Sequence, residues 1–420
     1  MIRQSIRTHG SLHISSLCLP FSASLGYHFP TASGFHFPTL RGAGLTNPSR
    51  YHDRAVGHDY ADRLARASKE AGAVSLDGLV ITPSPDLFYL LGYDAPLLER
   101  LTALIARPDD SPLLIVPELE RPRAAASPAG KLVEIETWPD GDDPFDLVGR
   151  ILADGKTYGA TDRMWAMHLL GLQHALPSSR FVLASAVMTR LRIRKGEAEI
   201  QLLSRAARSA DEAFNLITRE RLTGRPEEDV SRKLSELLVQ TGCESAAFAI
   251  VGSGPNGASP HHDAGDRAIR AGDAVVLDFG GRVGGYCSDM TRTVSVGEPD
   301  VEKKEIHEIV REAQEAAFQA VQPGVPAQEV DRAARRVIEE AGYADRFIHR
   351  TGHGIGLEEH EHPYIVEGNS EPLEPGMCFS IEPGIYLEGR FGVRIEDIVS
   401  VTEEGGVRLN HAPRDLTVVA

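Results

Sequence analysis

The chain has 420 residues, 42% of them hydrophobic and 25% charged, an ordinary globular composition long enough for roughly two to three domains. Its 44 basic and 60 acidic side chains leave a formal charge of −16, which repels phosphate backbones, and without a tight Lys/Arg cluster nucleic acid is not an expected partner. No apolar run reaches the roughly eighteen residues of a membrane span, so no membrane partner is expected; four scattered cysteines without a C-x-x-C pair exclude a disulfide scaffold and a thiolate zinc site, and fit a reducing, cytoplasmic setting.

Residues 1–52 carry four Arg, five His and no Asp or Glu, so all sixty acids lie beyond them. This stretch reads as a disordered extension outside the fold, either a targeting segment or sequence upstream of a misplaced start, the second being favoured. From residue 58 to 186, short apolar runs (Leu79-Val80-Ile81, Leu113 to Val116, Phe181-Val182-Leu183) alternate with helix-like stretches, among them Pro96 to Ala106. That alternation predicts a smaller α/β domain, with a structural or substrate-gating role because no His, Asp or Glu cluster with catalytic spacing occurs in it. Two phosphate-loop lookalikes fail on local grounds. Arg150 stands where a P-loop needs Gly, and Pro255 and Pro260 forbid the helix that should follow Gly252-Ser-Gly254-Pro-Asn-Gly257.

Near Arg192 the pattern changes, and residues 192–420 form the second predicted domain. Apolar residues at helical spacing (Ile200, Leu203, Ala207, Ala210, Phe214, Ile217) open it. Two later segments then match at a constant offset of one hundred: Gly224/Gly324, Pro226/Pro326, Val230/Val330, Arg232/Arg332, Leu237/Val337, Leu238/Ile338 and Gly242/Gly342. Each reads as a helix with Pro at its start and Gly just past its end. A β-rich stretch follows each, Ala274 to Val296 and Met377 to Val401, so the domain is expected to be an internal duplication.

The first β-rich stretch reads as a hairpin. A turn centred on Val283-Gly284 sets Asp278 directly across from Asp289, and opposed carboxylates beside the apolar run Val275-Val276-Leu277 are costly unless a cation compensates them. The second stretch repeats the arrangement with Glu382 and Glu396. Between the two β-rich stretches lies the glycine-rich string Thr351-Gly-His353-Gly-Ile-Gly-Leu-Glu-Glu-His360-Glu-His-Pro363, which carries imidazoles able to coordinate metal. Four carboxylates balance two divalent ions, and an oxygen-rich set with one imidazole favours Mn²⁺, with Co²⁺, Fe²⁺ or Zn²⁺ as alternatives.

The ordered set Asp278, Asp289, His353, Glu382, Glu396, in the strings VLDFGG, SDMTRT, GHGIGLEEHEHP, IEPGIY and VRIED, resembles the pita-bread metallopeptidases: Xaa-Pro aminopeptidase (aminopeptidase P), prolidase and their relatives. The resemblance covers residues 58–420 and implies a creatinase-type N-terminal domain followed by a pseudo-twofold pita-bread catalytic domain. It implies that Asp289, His353 and Glu396, completed by Glu382, hold one metal, and that Asp278, Asp289 and Glu396 hold the other. A metal-bridging hydroxide would attack the peptide carbonyl, with Glu382 relaying the proton. His261 and His360 would stand on the substrate side and serve the leaving proline nitrogen, whereas His262 is expected in solvent. His349 falls at a substrate-binding or outer position, and Arg394 is expected to orient Glu396 or Asp289. The implied activity is removal of an N-terminal residue from peptides with proline at the second position, by a homodimer or homotetramer. Alternatives are a prolidase restricted to Xaa-Pro dipeptides, a non-peptidase hydrolase or lyase, and an inactive binding protein on the same fold.

Overall fold

The computed structural model describes residues 59–420, Asp109 excepted; the acid-free stretch 1–52 lies outside the described residues. The chain begins with α1 (Tyr60–Ala73), β1 (Gly78–Ile81), α2 (Pro85–Leu91), β2 (Ala103–Ala106), β3 (Leu113–Pro117), α3 (Arg121–Ala126), β4 (Glu134–Trp138), α4 (Pro144–Ile151), β5 (Thr157–Ala160), α5 (Ala166–Ala175), β6 (Arg180–Leu183) and α6 (Ser185–Arg192). The strands form one mixed sheet in the order β4-β3-β2-β1-β5-β6. Period-two alternation sorts their side chains onto two faces. Leu79, Ile81, Leu104, Leu114 and Val116 pack with α1, α2 and α6, while Val80, Ala103, Ile105 and Ile115 pack with α4 and α5.

The helix expected over Pro96 to Ala106 is absent. Residues 101–106 are buried throughout, and β2 hydrogen-bonds strands on both of its edges. Leu97, Leu98, Leu101, Leu104 and Ile105 have helical spacing by coincidence, and a central strand buried on both faces shows no polar alternation to reveal it.

The rest of the chain runs α7 (Glu197–Ile217), α8 (Glu227–Gln240), β7 (Ser245–Ser253), β8 (Ala274–Val283), β9 (Tyr286–Cys287), β10 (Met290–Val296), α9 (Val301–Gln319), α10 (Ala327–Glu340), β11 (Gly352–Gly354), β12 (Glu361–Ile365), β13 (Cys378–Ile381), β14 (Gly384–Leu387), β15 (Phe391–Arg394), β16 (Asp397–Thr402), β17 (Gly405–Arg408) and β18 (Thr417–Val419). One sheet has the order β18-β10-β8-β7 and the other β12-β11-β13-β16-β17. Helices α7 and α8 back the first sheet, and α9 and α10 back the second.

The predicted duplication is visible bond by bond. The amides of Gly224 and Gly324 donate to the carbonyls of Ile269 and Leu373, those of Glu227 and Ala327 to Arg267 and Glu371, and those of Glu228 and Gln328 to Gly265 and Asn369. Gly224 and Gly324 share a left-handed φ, 84° and 83°, which favours glycine in both copies. A smaller mixed-sheet domain followed by a duplicated α/β half-pair is the pita-bread architecture that the motifs imply.

Candidate metal centre

In the first hairpin the turn falls one residue later than expected. Val283 pairs with Tyr286 across Gly284-Gly285, whose φ values of 59° and 86° suit a two-residue primed turn. Asp278 therefore lies opposite Thr291 rather than Asp289, and Asp289 stands diagonally, one step along the same face. The slip moves the register by two residues, an even number, so both carboxylates stay on one face. Val275, Leu277 and Phe279 point to the helices, which leaves Asp278 on the face turned away from them.

The second hairpin splits into two ladders, β13 with β16 and β14 with β15, that keep one register, so Glu382 and Glu396 meet directly across the break between them. Their amides leave the ladder. Glu382 N–H donates to the Thr351 carbonyl at 2.8 Å and Glu396 N–H to that of Thr291 at 3.0 Å. The second bond crosses to the first sheet and brings the two acidic faces together. His353 sits mid-strand between two glycines, where a Cβ at Gly352 would collide with the Ser380 carbonyl and one at Gly354 with the His362 carbonyl. Close strand approach thus requires glycine on both sides of the imidazole.

Asp278, Asp289, His353, Glu382 and Glu396 converge on one cleft of about 270 Å³, lined also by Phe248, Ile250, Pro260, His261, His349, Arg350, Glu359, His360 and Arg394. Asp289, His353 and Glu396 present one ligand atom each within 4.8 Å of one another. His353 Nε2 is 3.2 Å from Glu382 Oε1 and 3.7 Å from Asp289 Oδ2, and its Nδ1 lies 3.2 Å from the Gly354 carbonyl. A cation taken up by Nε2 would leave the ring proton on Nδ1, bonded to that carbonyl.

The donor set fits a divalent cation. Among the described residues Asp278 Oδ1 and Glu396 Oε1 are buried with no hydrogen-bond partner, an arrangement that costs free energy unless a cation completes it. Burial, reinforced by neighbouring carboxylates, pushes Asp289 and Glu396 far above the usual range. Burial also raises Asp278 against the pull of Arg394. Glu382 goes the other way: burial opposes it, but His353 beside it holds it down to about 2. Oxygen and imidazole donors without thiolate suit a hard or borderline ion.

Arg394, expected on Glu396 or Asp289, bonds Asp278 Oδ2 from Nη2 at 2.5 Å instead. It reaches Glu396 only through Thr291, whose hydroxyl accepts from Arg394 Nε at 3.1 Å and donates to Glu396 Oε2 at 2.7 Å. Arg394 Nη1 also donates to the Tyr386 hydroxyl at 2.9 Å, and that hydroxyl lies 2.8 Å from His349 Nε2. Burial lowers the His349 pKa; the neutral ring then donates from Nδ1 to the Arg350 carbonyl at 2.7 Å and accepts the Tyr386 proton at Nε2. Tyr386 itself is pushed up to about 12 by burial.

His360 packs edge-on against His353 with ring centroids 4.1 Å apart; part of the ring is exposed, and the shielding of the rest, with His353 beside it, lowers its pKa. It also borders a second cavity of about 390 Å³, lined by residues 84–86, 161–163 and 185–193 of the N-terminal part and 358–364 of the second domain. Arg192, on its wall, reaches Asp86 at 2.7 Å, Glu358 at 2.8 Å and Glu361 at 2.5 Å, and behind it Lys195 reaches Glu361 at 2.7 Å. His261 lines the metal-side cleft from an exposed loop. His262, expected in solvent, bonds the fully buried Glu227 at 2.8 Å.

Sequence reasoning passed over Thr291, Tyr386, Arg350 and Ser380. Ser380 Oγ donates to Glu382 Oε1 and accepts the His353 amide, each at 3.1 Å. The signal for Thr291 and Ser380 was period two, since each stands two residues from a carboxylate on the same face. Arg350 and Tyr386 had no such signal.

Residues 201–403 match the metallopeptidase family M24, and residues 63–194 match the creatinase/prolidase N-terminal domain. The chain is 49% identical over 374 residues to a protein of Mycobacterium tuberculosis named "Probable dipeptidase PepE", covering 88% of this chain and 99% of that one. It is 37% identical to the Xaa-Pro dipeptidase of Lactobacillus helveticus, covering 79% of this chain and 92% of that one. The crystal structure of dipeptidase PepE from Mycobacterium ulcerans superposes with a TM-score of 0.83 at 47% identity, covering 87% of this chain and 99% of that one. With relatives this similar along most of its length, the chain belongs to the metallopeptidase family M24.

Proposed function

We propose that the chain is a metal-dependent Xaa-Pro dipeptidase, the alternative to an aminopeptidase of longer Xaa-Pro peptides. The observation that carries the choice is Arg350. Arg350 lines the cleft, its guanidinium lies 4.5 Å from the centre of the Tyr364 ring, and among the described residues it has no carboxylate partner. A dipeptide ending in proline brings a free carboxylate to this region, and a planar guanidinium matches it with two parallel hydrogen bonds. Phe248, Ile250 and Pro260 offer the same cleft an apolar wall for the proline ring. The names of the mycobacterial and lactobacillar relatives support the same reading.

Asp278, Asp289, His353, Glu382 and Glu396 are the proposed ligands of two divalent ions, manganese in this reading; when bound, these supply an activated water and polarise the scissile carbonyl. Glu382, with Oε1 committed to Ser380, is the base that moves the water proton. His261 and His360 orient the peptide and serve the leaving nitrogen.

The test compares an Xaa-Pro dipeptide, its C-terminal amide and an Xaa-Pro-Xaa tripeptide on the metal-loaded enzyme. The dipeptide should be the preferred substrate, and Arg350→Met should raise its KM about 10- to 100-fold, the worth of a charge-assisted bidentate contact. Equal cleavage of acid and amide, with an unchanged KM in Arg350→Met, would assign the chain to the aminopeptidases.

A further inference from the structure

Glu227 opens α8 and is fully buried. Its Oε1 accepts from the Ser253 amide at 2.7 Å and the Ser253 hydroxyl at 2.5 Å, Asn256 Nδ2 spans both oxygens at 3.1 and 3.0 Å, and His262 Nε2 stands 2.8 Å from Oε2. Burial works to raise this carboxyl, but the hydrogen bonds from Ser253, His262 and Asn256 overcome it and hold the group below its usual range. An ionised carboxylate only accepts, so His262 Nε2 carries the proton in this pair.

The duplication supplies an internal control. At the matching first position of α10 stands Ala327, equally buried and with the same backbone hydrogen bonding to the strand beside it. The half-domain therefore folds around an alanine here, and a buried carboxylate with this many donors is an addition. The first half alone carries what the addition touches, the loop after Ser253 that ends in Pro260-His261-His262. The exposed His261 ring makes no hydrogen bond among the described residues, so only the placement of its backbone limits where the ring can reach. Pro260 fixes φ on one side, and the anchored His262 fixes the chain on the other.

We infer that Glu227, acting through His262, is the positioning residue that aims His261 into the metal cleft. The inference rests on the proposed substrate-side role of His261. It goes beyond that role by assigning its orientation to a carboxylate that touches neither substrate nor metal.

The experiment is a double-mutant cycle on the metal-loaded enzyme with an Xaa-Pro dipeptide as probe, with metal content and thermal midpoint measured on every variant. His262→Ala should lower kcat/KM by roughly 10- to 100-fold, the scale for outer partners of active-site ligands, with metal content unchanged. His262→Asn, which keeps a donor for Glu227, should recover most of that loss, and Glu227→Ala, which copies the second half, should match His262→Ala. On a His261→Ala background, His262→Ala should cost less than about twofold more, because groups acting as one unit are not additive. Multiplying losses in the cycle, or wild-type turnover in His262→Ala, would overturn the inference while leaving the reading of His261 in place. If Glu227→Ala does not fold, the His262→Asn and His262→Ala pair decides alone. Wild-type turnover in His261→Ala would remove the reading and the inference together.

Discussion

Arg394 Nη2 donates to Asp278 Oδ2 at 2.5 Å, and both side chains are buried, so a carboxylate that faces the metal cleft is held on one oxygen by a cation from the other half of the duplication. The other oxygen has no hydrogen-bond partner among the described residues. A carboxylate fixed in this way is oriented before any ion arrives, as the outer partners of metal ligands generally require. Arg394→Met should free Asp278 to rotate and should lower both metal affinity and turnover about 10- to 100-fold, read by metal titration and by dipeptide hydrolysis on the same samples. Unchanged metal affinity would separate Arg394 from the centre.

His353 and His360 are in ring contact, yet they should fail differently when removed. His353→Ala removes one of the three groups that converge within 4.8 Å and should lower metal occupancy. His360→Ala should keep the metal and lose roughly 10²- to 10³-fold in rate, the worth of one positioned hydrogen-bond donor on developing charge. Mass-spectrometric metal content beside kcat distinguishes the two, and equal metal loss in both variants would contradict the division.

The cluster of Asp86, Arg192, Lys195 and Glu361 ties α2 and the segment joining the two sheet systems to the start of β12, beside His360. The Lys195 side chain is 1% exposed and that of Glu361 is 9% exposed, so removing one partner strands a buried charge. Glu361→Leu should cost about 3–5 kcal/mol, measured by urea unfolding. A loss under about 1 kcal/mol would place the cluster with screened surface pairs.

His307 on α9 is 4% exposed and is lowered to about 4, first by burial, with Glu308, Arg311, Asp415 and Arg292 as the charges around it. The unfolded chain binds this proton near the ordinary 6.5 and the folded chain does not until about 4. Stability from this site is therefore complete above pH 6.5, falls as the pH drops towards 4, and amounts to roughly 3 kcal/mol. His307→Leu should flatten that acid limb of the stability curve, and an identical limb in the variant would count against it.

The site was legible in the sequence where one rule dominated. Paired carboxylates beside apolar strand residues are costly enough to mark themselves, and a repeat of helix-start Pro and helix-end Gly exposes a duplication without any contact being known. The register of the Asp278 hairpin was misread because Val283-Gly284 and Gly284-Gly285 are both acceptable turn sequences, and only the second gives two left-handed glycines in succession. The slip left the face unchanged, so both carboxylates still line one cleft. His262 was misread because its partner, Glu227, lies 35 residues away on a helix start and looks like any first-turn acid. The Pro96 to Ala106 stretch failed for the opposite reason: a strand buried on both faces carries no period at all.

The most direct measurement of the central claim is metal stoichiometry and Xaa-Pro dipeptide hydrolysis on one preparation of the wild type and of Glu396→Ala, after loading with Mn²⁺. The wild type should hold two ions per chain and hydrolyse the dipeptide, and Glu396→Ala should lose metal and activity together. A Glu396→Ala variant that keeps two ions and normal turnover would contradict the account.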